Sequence, residues 1–265
     1  MHALALAGCY VISLRPAGQH DALRRAAAVH GARLLALSPV RLVVRNDDDT
    51  RRALRDALDG ARVVFTSPNA VGAARAVQAL HARRGQQWLA VGAGTAQALR
   101  RAGIADVVAP QRMDSDGLLA LPALQDLAGV AVGLVTAPGG RGLLEPELQR
   151  RGARVRRADV YARVPIALSP RALAALRALH APAWLALSSA DALEQVLAQV
   201  PADAGMALRR ARVAAASARL AELAHAQGFA NVVVAASARP RDLLAAMAAD
   251  ASASMRGTVA AGPIA

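Results

Sequence analysis

The sequence predicts an α/β protein of two similar lobes, each a parallel sheet flanked by helices. Short apolar runs rich in Val and Leu alternate with longer amphipathic stretches rich in Ala, Arg and Leu. Such alternation is typical of parallel sheets covered on both faces. A long pattern also occurs twice, since Gly31 and Gly152 are 121 positions apart, as are Ser67 and Ser188. So long a period excludes a solenoid and indicates two related units.

The apolar runs and their Pro and Gly punctuation place the individual elements. Strands are expected near 10–14, 34–38, 62–66, 88–91, 106–108, 130–135, 154–159, 183–187, 212–215 and 231–234. Helices are expected near 19–30, 50–59, 69–83, 94–102, 115–121, 141–151, 170–179, 189–199, 217–227 and 239–249. Beyond about residue 250 the chain lacks a sustained period, and a loose tail is expected.

Two groupings of these elements fit the repeat. In a tandem grouping the boundary falls near residue 125. In a crossed grouping the chain starts one lobe, builds the second, and returns to finish the first. Its crossover points lie near 38–42 and 161–166, where Pro39 and Pro165 interrupt the apolar pattern. Periodicity alone does not choose between them.

Composition favours an anionic, small-molecule partner. The 265 residues are 55% hydrophobic, enough for two cores, and the net charge of +13 attracts anions. Nucleic acid is disfavoured, because the arginines are spread along the chain and aromatic residues are only 2%. A small polycarboxylate or phosphate fits the charge equally well. The alternative is that arginine is simply the solvated residue that this chain uses by default.

Several classes of site and location are not expected. Cys9 is the single cysteine, so the chain has no disulfide framework or cysteine-based zinc site. The run Leu6-Ala7-Gly8-Cys9 resembles a lipoprotein cleavage box, but no Arg or Lys precedes it and the apolar stretch is short. The histidines lack paired spacing and are expected on helix surfaces, and no phosphate-loop fingerprint occurs. We expect a cytoplasmic protein without metal, nucleotide or other cofactor, bound to neither nucleic acid nor membrane.

Small polar residues follow many of the predicted strands, where ligands bind in parallel sheets. Helices begin there, and their free N–H groups suit carboxylates. The candidate binding residues are Arg15, Ser67, Asn69, Gly94, Gly140, Arg141, Ser188, Ser189, Ser217 and Arg219. The alternative at each turn is an ordinary helix cap, since Ser, Thr, Asn and Gly are preferred there for backbone reasons.

An obvious catalytic set is missing. No GxSxG elbow occurs. The carboxylate pairs Asp114 with Asp116 and Glu145 with Glu147 could act as acid and base, but such residues also favour helix starts. An enzyme without such a set can work by positioning a substrate that is already reactive.

At these turns the sequence resembles the uroporphyrinogen-III synthase family in its proteobacterial form. The matching segments are LRPAGQ, FTSPNAV, AVGAGTAQAL, MDSDGLLALPALQ, GGRGLLEPELQRRGARV, VYARVP and ASARLAELAHAQGF. The resemblance implies the crossed arrangement, with lobes of residues 1–38 plus 166–265 and 43–160. Residues 39–42 and 161–165 would be a two-stranded linker.

The resemblance also implies that the chain is an enzyme. It would be a carbon–oxygen lyase of heme and porphyrin biosynthesis that needs no cofactor. It would close the linear tetrapyrrole hydroxymethylbilane, which carries eight carboxylates, to uroporphyrinogen III, losing water and inverting ring D. A monomer is expected, with hand-over of substrate from hydroxymethylbilane synthase. The competing class is a non-enzymatic two-lobed binder of a small polyanion.

Family positions carry over residue by residue. Tyr161 matches the linker tyrosine, expected to assist departure of the hydroxyl, and Thr95 matches the threonine after the glycine turn. Ser67, Ser188 and Arg219 match further positions that line the family's cleft. Thr136-Ala137 stand where relatives often have Arg-Gly, and Leu220 stands where some have threonine. A packing role is the alternative for Tyr161.

Overall fold

A computed structural model describes residues 4–139 and 142–260, and only the backbone of 254–260. The strands are β1 Tyr10–Ser13, β2 Arg33–Ala36, β3 Val40–Val44, β4 Arg62–Phe65, β5 Gln87–Ala90, β6 Val107–Val108, β7 Ala131–Thr136, β8 Arg154–Asp159, β9 Tyr161–Pro165, β10 Ala183–Leu187, β11 Arg212–Ala215 and β12 Val232–Val234. The α-helices are α1 Asp21–Val29, α2 Asp48–Leu58, α3 Pro68–Val77, α4 Ala93–Arg101, α5 Ser115–Leu119, α6 Leu144–Arg150, α7 Pro170–Arg177, α8 Ala190–Gln199, α9 Ala202–Arg209, α10 Ala218–Ala226 and α11 Pro240–Ala260. A short 3-10 helix spans Pro122–Leu124.

The predicted fold class is confirmed. The strands form two five-stranded parallel sheets and one two-stranded sheet of β3 and β9. The chain divides into two compact units, one of Met1–Arg41 with Val164–Ala265 and one of Leu42–Arg163. β1 pairs with β10, and β4 with β7, so each large sheet joins strands from both halves of the chain.

The first unit, Met1–Arg41 with Val164–Ala265, is built on the sheet β12-β11-β10-β1-β2. Neighbouring residues of a strand point to opposite faces. Ile12 and Leu185 accordingly enter one hydrophobic cluster, with α7, α8, α9 and α10, whereas Val11 and Trp184 enter another, with α1 and α11. The carboxyl ends of all five strands meet at one edge of the sheet.

The second unit, Leu42–Arg163, is built on the sheet β6-β5-β4-β7-β8. Phe65 and Trp88 enter a cluster with α2, α3 and α4, and Val64 and Leu89 enter one with α5 and α6 on the other face. The rings of Phe65 and Trp88 stack with centroids 5.7 Å apart. This pair joins Tyr161 as the aromatic members of a cluster that is otherwise aliphatic.

The two copies of the sequence repeat are exchanged between the units. The first copy supplies β1 and β2 to one sheet and β4, β5 and β6 to the other, and the second copy does the reverse. In each sheet the direction of strand addition therefore reverses once, between β1 and β10 and between β4 and β7. Such switch points are where parallel sheets form ligand crevices at their carboxyl edge.

Three parts of the chain differ clearly from the sequence prediction. The helix expected near 69–83 ends at Val77. Helix α9 was not expected, because Gly205 lowers helix propensity; here the small residue is buried in the helix. Helix α11 continues to Ala260, which corrects the expected loose tail for residues 251–260, and the rest of that tail lies outside the described residues. The stretch up to Ala253 is rich in alanine, Ala251 packs against the core, and Asp250 pairs with Arg212.

Candidate active site

Three serines at the carboxyl edges cap helices in the same way. Ser67, Ser189 and Ser217 directly precede α3, α8 and α10, and each hydroxyl oxygen accepts the N–H three residues ahead, at 3.0, 3.3 and 3.4 Å. The cap interpretation is therefore correct for all three. It does not consume the hydroxyl proton, which remains available to donate to a ligand.

A cavity of about 220 Å³ opens at the switch point of the second unit. Residues that follow β4 and β7 line it, including Thr66 and Ser67 on one side and Thr136 and Ala137 on the other. The Thr66 hydroxyl donates to the Thr136 hydroxyl at 2.8 Å, which ties the two strand ends together. The cavity is thus the site that the sheet topology predicts for this unit.

Tyr161 lies at the wall of this cavity. It is the first residue of β9 and only 5% exposed, with its ring packed in the cluster that contains Phe65 and Trp88. Its hydroxyl lies 3.3 Å from the Ser67 hydroxyl oxygen, and either group can donate. The ring is therefore held by packing while the polar end meets the helix cap at the cavity. The Tyr161 ring packs in the core while its hydroxyl is free for a polar role, so the two interpretations of this residue are compatible.

An arginine clamp that the sequence analysis did not single out stands on the same cavity. Arg157 of β8 contacts Glu145 at 2.8 Å and Asp159 at 3.0 Å. These hydrogen bonds, Asp159 first and Glu145 second, raise the pKa of Arg157. The clamp joins the first turn of α6 to β8 and neutralises the guanidinium charge internally.

Three further predicted residues of this unit do not line the cavity. Thr95, in the first turn of α4, is 2% exposed. Gly94 precedes it and is exposed; a Cβ there would lie 3.7 Å from Pro68 Cγ, so the first turns of α3 and α4 are neighbours. Asn69, in the first turn of α3, is half-buried. Gly140 and Arg141 lie outside the described residues.

The predicted residues of the first unit follow three adjacent strands. Arg15 follows β1 and donates to the Ala238 carbonyl at 3.2 Å, and burial lowers its pKa. Ser188 and Ser189 follow β10, and Ser189 rather than Ser188 is the helix cap that corresponds to Ser67. Arg219 lies exposed in the first turn of α10. The edge therefore presents guanidinium and hydroxyl donors side by side.

The expectation of a surface histidine is wrong for His20. This residue precedes α1 and is 6% exposed. Its ring bridges two serines, with Nδ1 2.9 Å from the Ser13 hydroxyl and Nε2 2.8 Å from the Ser38 hydroxyl. Nothing in the helical spacing indicates this burial, because both serine partners lie on other elements. The bridge fixes the ends of β1 and β2 at the carboxyl edge.

The burial of His20 predicts a pH dependence of stability. Burial, followed by the charges of Arg24 and Arg15, lowers the pKa of His20 below its usual 6.5, and Asp21 opposes them. Because the unfolded chain then binds the proton more readily, stability is lost as the pH falls below about 6.5. Chemical unfolding between pH 7 and about pH 5.5 should show this slope, and His20→Gln should flatten it. Equal slopes in the two proteins would contradict the assignment.

The carboxylate pairs cap and brace helices. Asp114 accepts the Gly117 N–H at the start of α5, and Asp116 pairs with Arg112. Glu147, in the first turn of α6, accepts from Arg150 and Arg151, which lower its pKa to about 2. Among the described residues, no group of three or more His, Cys, Asp or Glu side chains could hold a metal ion.

Comparison with known proteins agrees with this architecture. The model of the family described as uroporphyrinogen-III synthase HemD matches residues 21–245. The chain belongs to the uroporphyrinogen-III synthase family. The curated uroporphyrinogen-III synthase of Escherichia coli (strain K12) is 31% identical over 162 residues, covering 60% of this chain and 66% of that relative. The family recognised from the turn motifs is confirmed.

Solved structures of this family share the fold. A mutant uroporphyrinogen III synthase from the extremely thermophilic bacterium Thermus thermophilus is 20% identical, with a TM-score of 0.58 over 94% of this chain and 99% of that one. Uroporphyrinogen-III synthetase from Helicobacter pylori 26695 is 15% identical, with a TM-score of 0.57 over 93% of this chain and 99% of that one.

In the part of this chain that the structure describes, no helix combines the length and apolarity needed to cross a membrane.

Proposed function

We propose that this chain closes hydroxymethylbilane to uroporphyrinogen III, and that Tyr161 assists loss of the substrate's hydroxyl group. The observation that carries the proposal is the placement of the Tyr161 hydroxyl. It sits at a cavity on a topological switch point, 3.3 Å from Ser67, on a ring immobilised by the core. A donor held this rigidly is suited to meet one atom of a substrate in one geometry.

The reaction then needs few protein groups. Loss of the hydroxyl, which leaves as water after gaining a proton, generates a reactive azafulvene on the substrate. Ring D attacks through its substituted carbon to give a spiro intermediate, which fragments and recloses with ring D inverted. Tyr161 donates a hydrogen bond to the departing oxygen, and Ser67 orients the phenol. Thr95, buried in the neighbouring first turn of α4, supports the same edge of the sheet.

In each unit, the turns at the carboxyl edge of the sheet offer donors that suit the substrate's carboxylates. The capping hydroxyls of Ser189 and Ser217 keep a proton to donate, and the first-turn N–H groups of α3, α8 and α10 add to them. Arg15 and Arg219 add positive charge in the first unit, as Ser188 adds a hydroxyl. Each of these contributions is modest, but together they match a ligand with many carboxylates.

Binding through such groups predicts a dependence on salt. Exposed charges are screened over ~10 Å at ~0.1 M ionic strength, so substrate affinity should fall as salt rises. Titrating KM against NaCl concentration measures this directly, with sucrose at matched osmolarity as the control. A KM that does not move with salt would point to apolar packing or deeply buried contacts instead.

We also propose a cytoplasmic monomer that receives its substrate directly from hydroxymethylbilane synthase. The physical reason is that hydroxymethylbilane closes spontaneously to the type I isomer, so time spent free in solution forms the wrong product. Adding this chain to an active hydroxymethylbilane synthase should give more type III isomer than adding it after a delay. Light scattering of the purified protein tests the monomer.

A non-enzymatic binder of polyanions is the second candidate, favoured only by the arginine excess. Turnover distinguishes the two. Mixed with a hundredfold excess of freshly made hydroxymethylbilane, an enzyme converts the whole pool to type III product. A binder protects at most one equivalent and leaves the rest to close as type I. The second outcome would reject the proposed function.

A further inference from the structure

Arg163 has no role in the site as described so far, yet it shares the cavity with Tyr161. The two residues are separated by one position on β9. Because side chains alternate along a strand, both project to the same face, with Ala162 on the other. The backbone therefore directs a guanidinium to the space beside the phenol.

The charge of Arg163 is uncommitted. Its side chain is exposed, and among residues 4–139 and 142–253 no carboxylate pairs with it. The other guanidinium that lines the described part of the cavity, Arg157, is occupied by Glu145 and Asp159. These two arginines and two carboxylates balance in charge, and of the two arginines only Arg163 is free to accept a new anion.

We infer that Arg163 binds a carboxylate arm of the substrate next to the reacting centre and thereby selects the inverted product. The inference rests on the proposed function, because its ligand is a pyrrole ring bearing carboxylate arms. A guanidinium presents two parallel N–H groups to a carboxylate, which fixes direction as well as distance. Held in this way, the pyrrole ring that loses its hydroxyl beside Tyr161 cannot rotate freely relative to ring D before the macrocycle closes.

Removal of this charge also turns the balanced set of charges at the cavity net negative. Without Arg163, Glu145 and Asp159 outnumber the remaining Arg157, so an incoming carboxylate meets a net negative set. Arg163→Gln should therefore raise KM by about 10- to 100-fold. It should also increase the fraction of type I isomer, because a loosely held azafulvene ring lets ring D attack through its unsubstituted carbon, which closes the macrocycle without inversion. Arg163→Lys keeps the positive charge but loses the two parallel N–H donors of the guanidinium. Compared with Arg163→Gln, it should restore KM more fully than it restores the isomer ratio.

The experiment compares KM, kcat and isomer ratio for four proteins: the parent, Arg163→Gln, Arg163→Lys and the control Arg154→Gln. Arg154 is an exposed arginine of β8 that does not line the cavity, and its variant removes the same charge from the same unit. The control should behave as the parent. Near-parental KM and isomer ratio in Arg163→Gln would overturn the inference, and so would equal losses in Arg154→Gln.

The parent protein separates this inference from the proposed function. If the parent forms no uroporphyrinogen III, the proposed function itself fails. If the parent forms it and Arg163→Gln does so equally well, only the role of Arg163 fails. Circular dichroism of each variant shows whether the fold is retained, and a variant with parental spectra but raised KM supports the inference.

Discussion

Replacing Tyr161 by phenylalanine is expected to slow formation of uroporphyrinogen III by about 10²–10⁴-fold, the usual contribution of a positioned proton donor. The substitution keeps the ring that packs against the core and removes only the hydroxyl that meets Ser67. Because hydroxymethylbilane still closes by itself, the type I isomer should accumulate in place of type III. Single-turnover kinetics with chromatographic separation of the isomers measures both effects.

Thr95→Val is the matched comparison. Thr95 is also buried but does not line the cavity, and backbone N–H groups remain at the start of α4 when its hydroxyl is removed. Its effect should be the milder of the two. A fully active Tyr161→Phe beside an inactive Thr95→Val would transfer the leading role to Thr95.

Trp88→Ala is expected to lower the free energy of unfolding of the second unit by about 3–5 kcal/mol. Trp88 is 1% exposed and stacks on Phe65, in a core whose other members are mostly Ala, Val and Leu. Because this cluster contains few large side chains, its members cannot move to fill the cavity that the loss of the indole ring would leave. Urea unfolding followed by circular dichroism measures the loss.

Trp88→Phe serves as the control for that substitution. It keeps an aromatic ring against Phe65 and removes the indole N–H, which is buried and has no hydrogen-bond partner among the described residues. An unsatisfied buried donor carries a cost, so the loss of ring volume is partly offset. Phe should therefore be tolerated much better than Ala. If the two variants unfolded alike, the packing argument would be wrong.

The elements were predictable from the sequence because they are local. The ten predicted strands are present, with ends displaced by at most two residues, since most of them are short apolar runs with polar, Gly or Pro residues nearby. The capping serines were predictable for the same reason. In contrast, α9 was missed because Gly205 argues against a helix, and its burial depends on packing from elsewhere.

The site was predictable only in part, because its contacts join distant segments. Tyr161 and Ser67 are 94 positions apart, and Thr66 and Thr136 are 70 apart. No spacing within one helix or strand indicates such pairs. Arg163 was the exception that could have been found, since its alternation with Tyr161 on one strand is visible in the sequence.

The identity of the macrocycle made by the parent protein tests the account most directly. Freshly prepared hydroxymethylbilane is incubated with and without the protein, the products are oxidised to porphyrins, and the type I and type III isomers are separated. The account predicts that type III replaces type I as protein is added, at protein concentrations far below that of the substrate. Type I product alone, at every protein concentration, would contradict it.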